Sequence, residues 1–298
     1  MFKKILVPLD GSKISEMAIP YAEELAGKLG SEVALYHVRP HDHAELEHMH
    51  QTYLDSVAES FRRAIKNKLP KANDVKITTE IEPGEAAENI CRLVDKNQVD
   101  LIVMTAVSNS GLKIGKMIGN IADHVCRTVP IPVLLIRSRS TPPIKSKQLI
   151  NRILIPLDGS ELSKLALPVG KELAAALKGN ITLFRMSNNI RLIDDGSGAT
   201  LTIDYASFNE AEKKRVSAEM TALEKDLKNR GFDITSVVAA GFDPAYEIME
   251  ISAKTNVDLI VMSTHGRSGL GCWVYGNTAE KVLRHGTTPL LLVHARAG

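Results

Sequence analysis

Short apolar runs recur along the chain, and stretches with apolar residues at helical spacing separate them. In the first part the runs are Ile5–Leu9, Val33–Val38, Val75–Glu80, Leu101–Thr105 and Val133–Ile136, and each reads as a strand. Between them, Lys13–Leu29, Leu46–Leu69, Ala86–Lys96 and Ile121–Thr128 read as helices. In the first of these, Ile14, Ala18, Tyr21, Ala22 and Leu25 share a face, Ser12 is the expected N-cap and Gly30 the stop. The order β-α-β-α-β-α-β-α-β predicts a parallel sheet with helices on both faces. Unbroken apolar strands, rather than alternating ones, fit burial on both sides.

The pattern then repeats. Residues 3–12 read Lys-Lys-Ile-Leu-Val-Pro-Leu-Asp-Gly-Ser, and residues 151–160 read Asn-Arg-Ile-Leu-Ile-Pro-Leu-Asp-Gly-Ser. Val99-Asp100-Leu101-Ile102-Val103-Met104 returns as Val257-Asp258-Leu259-Ile260-Val261-Met262. A repeat of this length is a duplicated domain, not a solenoid unit. Matching positions are 148 apart at Asp10 and Asp158 but 158 apart at Asp100 and Asp258. The second copy therefore carries ten extra residues, expected in the Gly- and Asp-rich stretch 188–207. The first copy has one extra residue in its late loop, because Gly119 and Gly276 are 157 apart. Residues 137–150 are polar and hold Pro142 and Pro143, as a linker does. The expected units are 1–138 and 151–298, joined by a linker at 139–150. Each is long enough for its own core.

Composition narrows the function classes. The 298 residues are 44% hydrophobic and 24% charged, as in ordinary soluble globular proteins. A formal net charge of +2 gives no electrostatic case for nucleic acid or an anionic membrane as partner. Cys91, Cys126 and Cys272 form no disulfide pattern and suit a reducing compartment. The first strand begins by Ile5, which leaves no room for a secretory leader, and no apolar run approaches the ~18 residues of a membrane helix. The expected location is the cytoplasm.

In open parallel sheets, ligands bind beyond the carboxyl ends of the strands, where strand order reverses. The turn after strand one and the loop after strand four fall there. In the second copy that loop, residues 263–278, reads Ser-Thr-His-Gly-Arg-Ser-Gly-Leu-Gly-Cys-Trp-Val-Tyr-Gly-Asn-Thr, and a helix at Ala279–Arg284 follows. Glycines allow close backbone approach, and the helix start presents free N–H groups to an anion. The alternative is a loop that needs glycine only for its turns.

Pro-Leu-Asp-Gly-Ser early, Asp-Leu-Ile-Val-Met-Ser-Thr-His-Gly-Arg-Ser-Gly-Leu late, then Gly-Asn-Thr-Ala-Glu-Lys-Val-Leu and Pro-Leu-Leu-Leu-Val resemble the universal stress protein, or UspA-like, family. The resemblance covers both copies. It implies two tandem α/β domains of Rossmann-like or flavodoxin-like type, each a five-stranded, mostly parallel sheet. It also implies pairing of the domains along their last strands, Val133–Ile136 and Leu290–Val293. ATP-binding relatives carry Gly-x-x-Gly, nine residues, then Gly-Ser or Gly-Thr. Here Ser263 stands at the first glycine, Gly266 at the second and Gly276 after nine residues. Asn277 replaces the hydroxyl residue, and Thr278 follows. A charge-assisted hydrogen bond is worth ~1.5–3 kcal/mol, so losing one weakens binding by about one or two orders of magnitude.

The binding set that the resemblance implies in the second copy is Pro156, Asp158, Met186, Ser263, Gly266, Arg267, Gly276, Asn277 and Thr278. The ligand is ATP with Mg²⁺. In the first copy the loop is more altered, and the weaker set is Asp10, Val38, Gly119 and Asn120. Val38 and Met186 match a position whose backbone reads adenine in relatives. Asp10 and Asp158 either accept from ribose hydroxyls or cap the next helix, and their presence in both copies favours a structural share. The implied role is a stress-response or regulatory protein. Its partners are adenine nucleotide and a second copy of the chain or a regulatory protein. The alternative is a protein that acts through protein contacts without nucleotide. No catalytic residue is assigned: no nucleophile, base and orienting group fall together, and no Walker lysine is present.

One feature lies outside the family pattern. His41, His43, His48 and His50 hold four of the nine histidines, with His37 just upstream. Imidazole with carboxylate suits borderline divalent metals, but helical spacing brings only pairs of these side chains together. A solvated polar helix start is the expected outcome. Trp273 and Tyr275 are expected to pack at the domain surface.

Overall fold

The computed structural model describes residues 2–40, 46–68, 75–107, 118–137, 148–188, 205–264 and 275–294. The first half runs β1 (Lys4–Pro8), a 3₁₀ turn (Ser15–Ala18), α1 (Ile19–Leu29), β2 (Glu32–Arg39), α2 (Glu47–Lys68), β3 (Ile77–Pro83), α3 (Ala86–Asn97), β4 (Leu101–Thr105), α4 (Asn120–Thr128) and β5 (Val133–Ile136). The second runs β6 (Arg152–Pro156), α5 (Glu161–Lys164), α6 (Ala166–Leu177), β7 (Asn180–Asn188), α7 (Tyr205–Asn229), β8 (Ile234–Gly241), α8 (Pro244–Lys254), β9 (Leu259–Ser263), α9 (Asn277–His285) and β10 (Leu290–Val293).

Two expectations need correction. The helix expected from Lys13 is interrupted: Ser12 Oγ does accept from the Ser15 N–H at 3.1 Å, but a 3₁₀ turn follows and α1 starts only at Ile19. Pro20 has no N–H for the ladder, so the first turn cannot continue as α-helix. Pro168 stands at the matching place, where the short α5 precedes α6. The strand expected at Val75–Glu80 lies at Ile77–Pro83, because it follows β2 in register from Val33↔Ile77 to Arg39↔Pro83. Its partner sets its length. On an edge strand, Pro83 is tolerated at the end.

The strands of the described residues form one sheet in the order β3-β2-β1-β4-β5-β10-β9-β6-β7-β8. Neighbours are parallel except at the centre, where β5 and β10 pair antiparallel with Leu134 opposite Leu291. The mirrored order with one antiparallel step is that of two Rossmann-like domains related by an approximate two-fold axis, joined along their last strands. Both central strands are wholly buried, so the pairing removes two apolar sheet edges at once. The separation Val33↔Ile77 becomes Ile181↔Ile234 in the second half, which places nine of the ten extra residues between β7 and β8.

The core divides by sheet face rather than by half. One cluster joins Ile5, Val7, Leu25 and Phe61 to Ile153, Leu173 and Leu291. The other joins Leu6, Ile90 and Val125 to Leu154, Ile248 and Val282. Side chains alternate across a strand, so Ile5 and Leu6 enter different layers, and each layer runs through both halves. Polar contacts also cross between the halves. Glu24 accepts from the N–H groups of Leu149 and Ile150 at 2.6 and 3.1 Å. Arg137, just past β5, donates to the carbonyls of Val282 and Leu283 in α9, and burial pulls its guanidinium down to about 10. Tyr275 does not pack at the surface: it is buried, with the Arg127 guanidinium 4.4 Å from its ring centre. Trp273, expected at the surface with it, lies outside the described residues. Among the described residues no helix is long and apolar enough to cross a membrane.

Candidate functional site

The turn after strand one has the same construction in both halves. Asp10 Oδ1 accepts from the Ser12 N–H at 2.9 Å, and Asp158 Oδ1 accepts from the Ser160 N–H at 2.9 Å and its Oγ–H at 2.6 Å. Ser15 Oγ and Ser163 Oγ each accept from the aspartate's own N–H at 3.3 Å and donate to a carbonyl at 2.9 Å. Gly11 and Gly159, at φ 79° and 86°, make the tight reversal. Burial alone raises the Asp10 carboxyl, but the hydrogen bonds of Ser12 and Ser15 together outweigh it and hold the group below its ordinary value. Both aspartates therefore organise the turn, which accounts for their presence in both halves. Ser15 and Ser163 escaped the sequence reading, although they recur at the same spacing of 148 as the aspartates.

The late loops also begin and end alike. Ala106 and Thr264 donate their N–H groups to Ile136 and Val293 in the last strands. Gly119 and Gly276 then donate back to the Ala106 and Thr264 carbonyls at 2.7 and 2.9 Å. Each glycine caps a helix with extended backbone and no side-chain cap. The first helical bonds come from Asp123 and Glu280, so the N–H groups of Asn120, Ile121 and Ala122, and of Asn277, Thr278 and Ala279, lie outside the helical ladder. Ser263 ends β9 and is buried, and Pro156 ends β6 opposite Phe184. Gly266 and Arg267 lie outside the described residues.

At the switch point of the first half these elements border an open cleft. Pro8, Leu9 and Asp10 enter from β1, Tyr36 and Val38 from β2, and Met104, Thr105 and Val107 from β4 and its end. Ala86 and Ile90 of α3, and Gly119, Ile121 and Ala122 at the start of α4, complete the lining. Of the first-half residues expected there, Asp10, Val38 and Gly119 line the cleft, while Asn120 is exposed beside it. Tyr36 donates its O–H to Glu82 at 2.8 Å, and Arg92 holds the same carboxylate at 2.6 Å. Burial first, and that acceptor second, keep the phenol neutral far above its ordinary range. Asp158 and Met186 occupy the corresponding places in the second half, after β6 and within β7.

Of the described histidines in and beside that tract, His37 and His50 meet and His48 stands apart. His37 is buried and donates Nδ1–H to the Leu9 carbonyl at 2.8 Å, and His50 stacks on it at 4.5 Å. His48 is exposed on α2, and residues two apart on a helix face different ways. His41 and His43 lie outside the described residues. Among the described residues no group of three or more His, Cys, Asp or Glu is placed to hold a metal.

The sequence matches the universal stress protein family over residues 1–137 and again over 150–294. A universal stress protein of Methanocaldococcus jannaschii is 31% identical over 142 residues, covering 46% of this chain and 83% of that protein. The universal stress protein E homolog of Haemophilus influenzae is 26% identical over 310 residues, covering 95% of this chain and 94% of its own length. Among solved structures, a universal stress protein from Archaeoglobus fulgidus matches with a TM-score of 0.71 at 18% identity, covering 98% of each chain, a likeness of fold. With the family matched in each half and the two halves sharing one construction, the chain belongs to the universal stress protein family, as a tandem of two of its domains.

Proposed function

We propose that the protein binds an adenine nucleotide, ATP with Mg²⁺, at the carboxyl ends of its strands, chiefly in the second half, and serves as a stress-response or regulatory module. The observation that carries this reading is a convergence at the switch point. In the first half, apolar walls, a carboxylate on a braced turn and a helix start with no side-chain cap meet at one cleft, and the second half repeats the turn and the uncapped helix start. That set fits the group. Apolar walls take the base, the aspartate accepts from ribose hydroxyls, and N–H groups at the helix start attract phosphate oxygens. In the second half Asp158, Met186 and Pro156 would hold the nucleoside portion. Ser263, Gly266, Arg267, Gly276, Asn277 and Thr278 would hold the phosphates. The preference for that half rests on its sequence: Gly266 and Gly276 keep the glycine spacing, and Thr278 carries a hydroxyl where the first half has Ile121. The units of this reading are residues 1–138 and 151–298, joined by 139–150, and it acts in the cytoplasm, alone or with a second copy.

Calorimetry with MgATP tests it. The expected result is at most one equivalent per chain, abolished by Gly266→Val with the melting curve unchanged. Two equal sites, or unchanged affinity in the variant, would overturn the assignment to the second half. No binding at all would leave the protein-contact role.

A further inference from the structure

The sheet of the described residues has β3 and β8 as its outer edges, because the last strands of the two halves already pair with each other at its centre. The Val33 N–H bonds the Lys76 carbonyl and the Ile181 N–H bonds the Asp233 carbonyl, which fixes the ladder phase in each half. In β3, Ile77, Thr79, Ile81 and Pro83 therefore turn their backbone groups outward; in β8, Ile234, Ser236, Val238 and Ala240 do. The β3 edge is closed. Pro83 has no N–H, its carbonyl accepts from Asn89 Nδ2 at 3.0 Å, and the Ile77 carbonyl accepts from Arg62 at 3.2 Å. Glu80 and Glu82 add charge. The strand positions that match Glu80, Glu82 and Pro83 are Val237, Ala239 and Ala240, so β8 lacks both carboxylates and the proline. Its run Ile-Thr-Ser-Val-Val-Ala-Ala-Gly carries no charge at all. The Ser236 N–H is taken by Glu224 at 2.8 Å. Past it, Ala240 is exposed, and just beyond the strand Phe242 and Tyr246 leave 52% and 57% of their surface exposed. Tyr246 stands where the first half has Glu88.

We propose that β8 is an interface strand and that its occupant is β8 of a second copy of this chain, paired antiparallel about a two-fold axis at Ala239. Val238 exchanges both backbone bonds with the partner subunit's Ala240, and Ala240 does so with the partner subunit's Val238. The two copies of Ala239 face each other at the axis, where a small uncharged side chain fits against itself. A two-fold join sets a strand against its own sequence, so any charge it carries meets its like. An uncharged strand suits such a join, and β3, with Glu80 and Glu82, does not. The join also repeats what already unites the halves, since β5 and β10 are equivalent strands meeting antiparallel in the same sheet. Glu224 on Ser236 sets where the pairing stops. One strand pair with its flanking aromatics belongs to the small interface class, under about 1,200 Å², so the dimer is reversible and concentration-dependent. The proposal stands apart from the nucleotide reading.

Sedimentation velocity on the full chain over a concentration series tests it, with amide hydrogen exchange to locate the contact. The expected result is a reversible monomer–dimer equilibrium, with exchange at Val238 and Ala240 slowing as the dimer forms. Ala240→Pro gives this edge the residue that the β3 edge carries at the matching position. It removes an N–H that the β7 ladder does not use, and should weaken association at least tenfold with the melting curve unchanged. Should that variant fail to fold, Ala239→Glu replaces it. It matches Glu82, sets two carboxylates against each other at the axis, and should weaken association in a way that added salt partly restores. A chain that stays monomeric up to about 1 mM would overturn the proposal. So would a dimer that neither variant weakens, or one that leaves exchange at Val238 and Ala240 unaltered. A monomer whose β8 amides are protected only by an added synthetic peptide of alternating threonine and valine would overturn the second copy as occupant and assign the edge to a foreign strand.

Discussion

Replacing Asp100 or Asp258 with alanine removes the same pair of bonds from two places in one sheet. Asp100 Oδ2 accepts from the N–H groups of Lys3 and Lys4 at 2.8 and 3.1 Å, where β1 begins. Asp258 Oδ2 accepts from Asn151 and Arg152 at 3.2 and 2.8 Å, where β6 begins. The aspartates' own N–H groups bond the Lys4 and Arg152 carbonyls, and those bonds survive the substitution. Buried hydrogen bonds to a charge are worth ~1.5–3 kcal/mol each, but these sites are partly open to water, which restores part of the loss. The expected cost is about 1–2 kcal/mol per substitution. Asp258 also meets Arg152 Nε at 3.5 Å, a half-exposed pair that adds ~0–1 kcal/mol. Four strands lie between β1 and β6, so the sites are roughly 24 Å apart, and the double variant should cost the sum within ~0.5 kcal/mol. Urea unfolding followed by far-ultraviolet circular dichroism measures all three. One transition is expected because each core layer runs through both halves. If one variant lost its full share and the other nothing, the repeated aspartate would not be the strand clamp described here.

Two further outcomes follow from the same geometry. His37 is held below its ordinary value by burial first and by the nearby His50 charge, partly opposed by its bond to Leu9, so between the two values the unfolded chain binds more protons. Stability from this group is complete above about pH 6.5 and falls as the pH drops through the lowered folded value; urea midpoints should decline on the acid side, and His37→Phe should flatten that decline while lowering stability at pH 7.5. Gly11→Ala meets open space and should cost about 1–2 kcal/mol from positive φ alone. Gly159→Ala would put its Cβ 2.5 Å from Arg185, a buried guanidinium bonded to Glu219, and should cost at least ~1 kcal/mol more; equal losses in melting experiments would contradict this.

The sequence by itself determined the elements, their order and the duplication, because apolar runs and helical spacing are local consequences of which side chains must leave water. It also marked the aspartate turns and the glycines before α4 and α9, since reversals and close approaches demand those residue types. The split of the first helix was legible too, in Pro20 and Pro168, but the helical spacing of Ile14 and Ala18 masked it. Other features needed tertiary structure. The start and end of β3 followed its partner β2, because register is a property of a pair. The central strands carry apolar runs like any others, and only their antiparallel contact turned two sheets into one and merged the halves' cores into layers. The burial of Tyr275 under Arg127 depended on that junction. The cleft's chemistry came instead from the strand order: Asp10, Tyr36, Ile90, Met104 and Ile121 are scattered along the first half, and only a sheet that brings β1 between β2 and β4 sets them around one space.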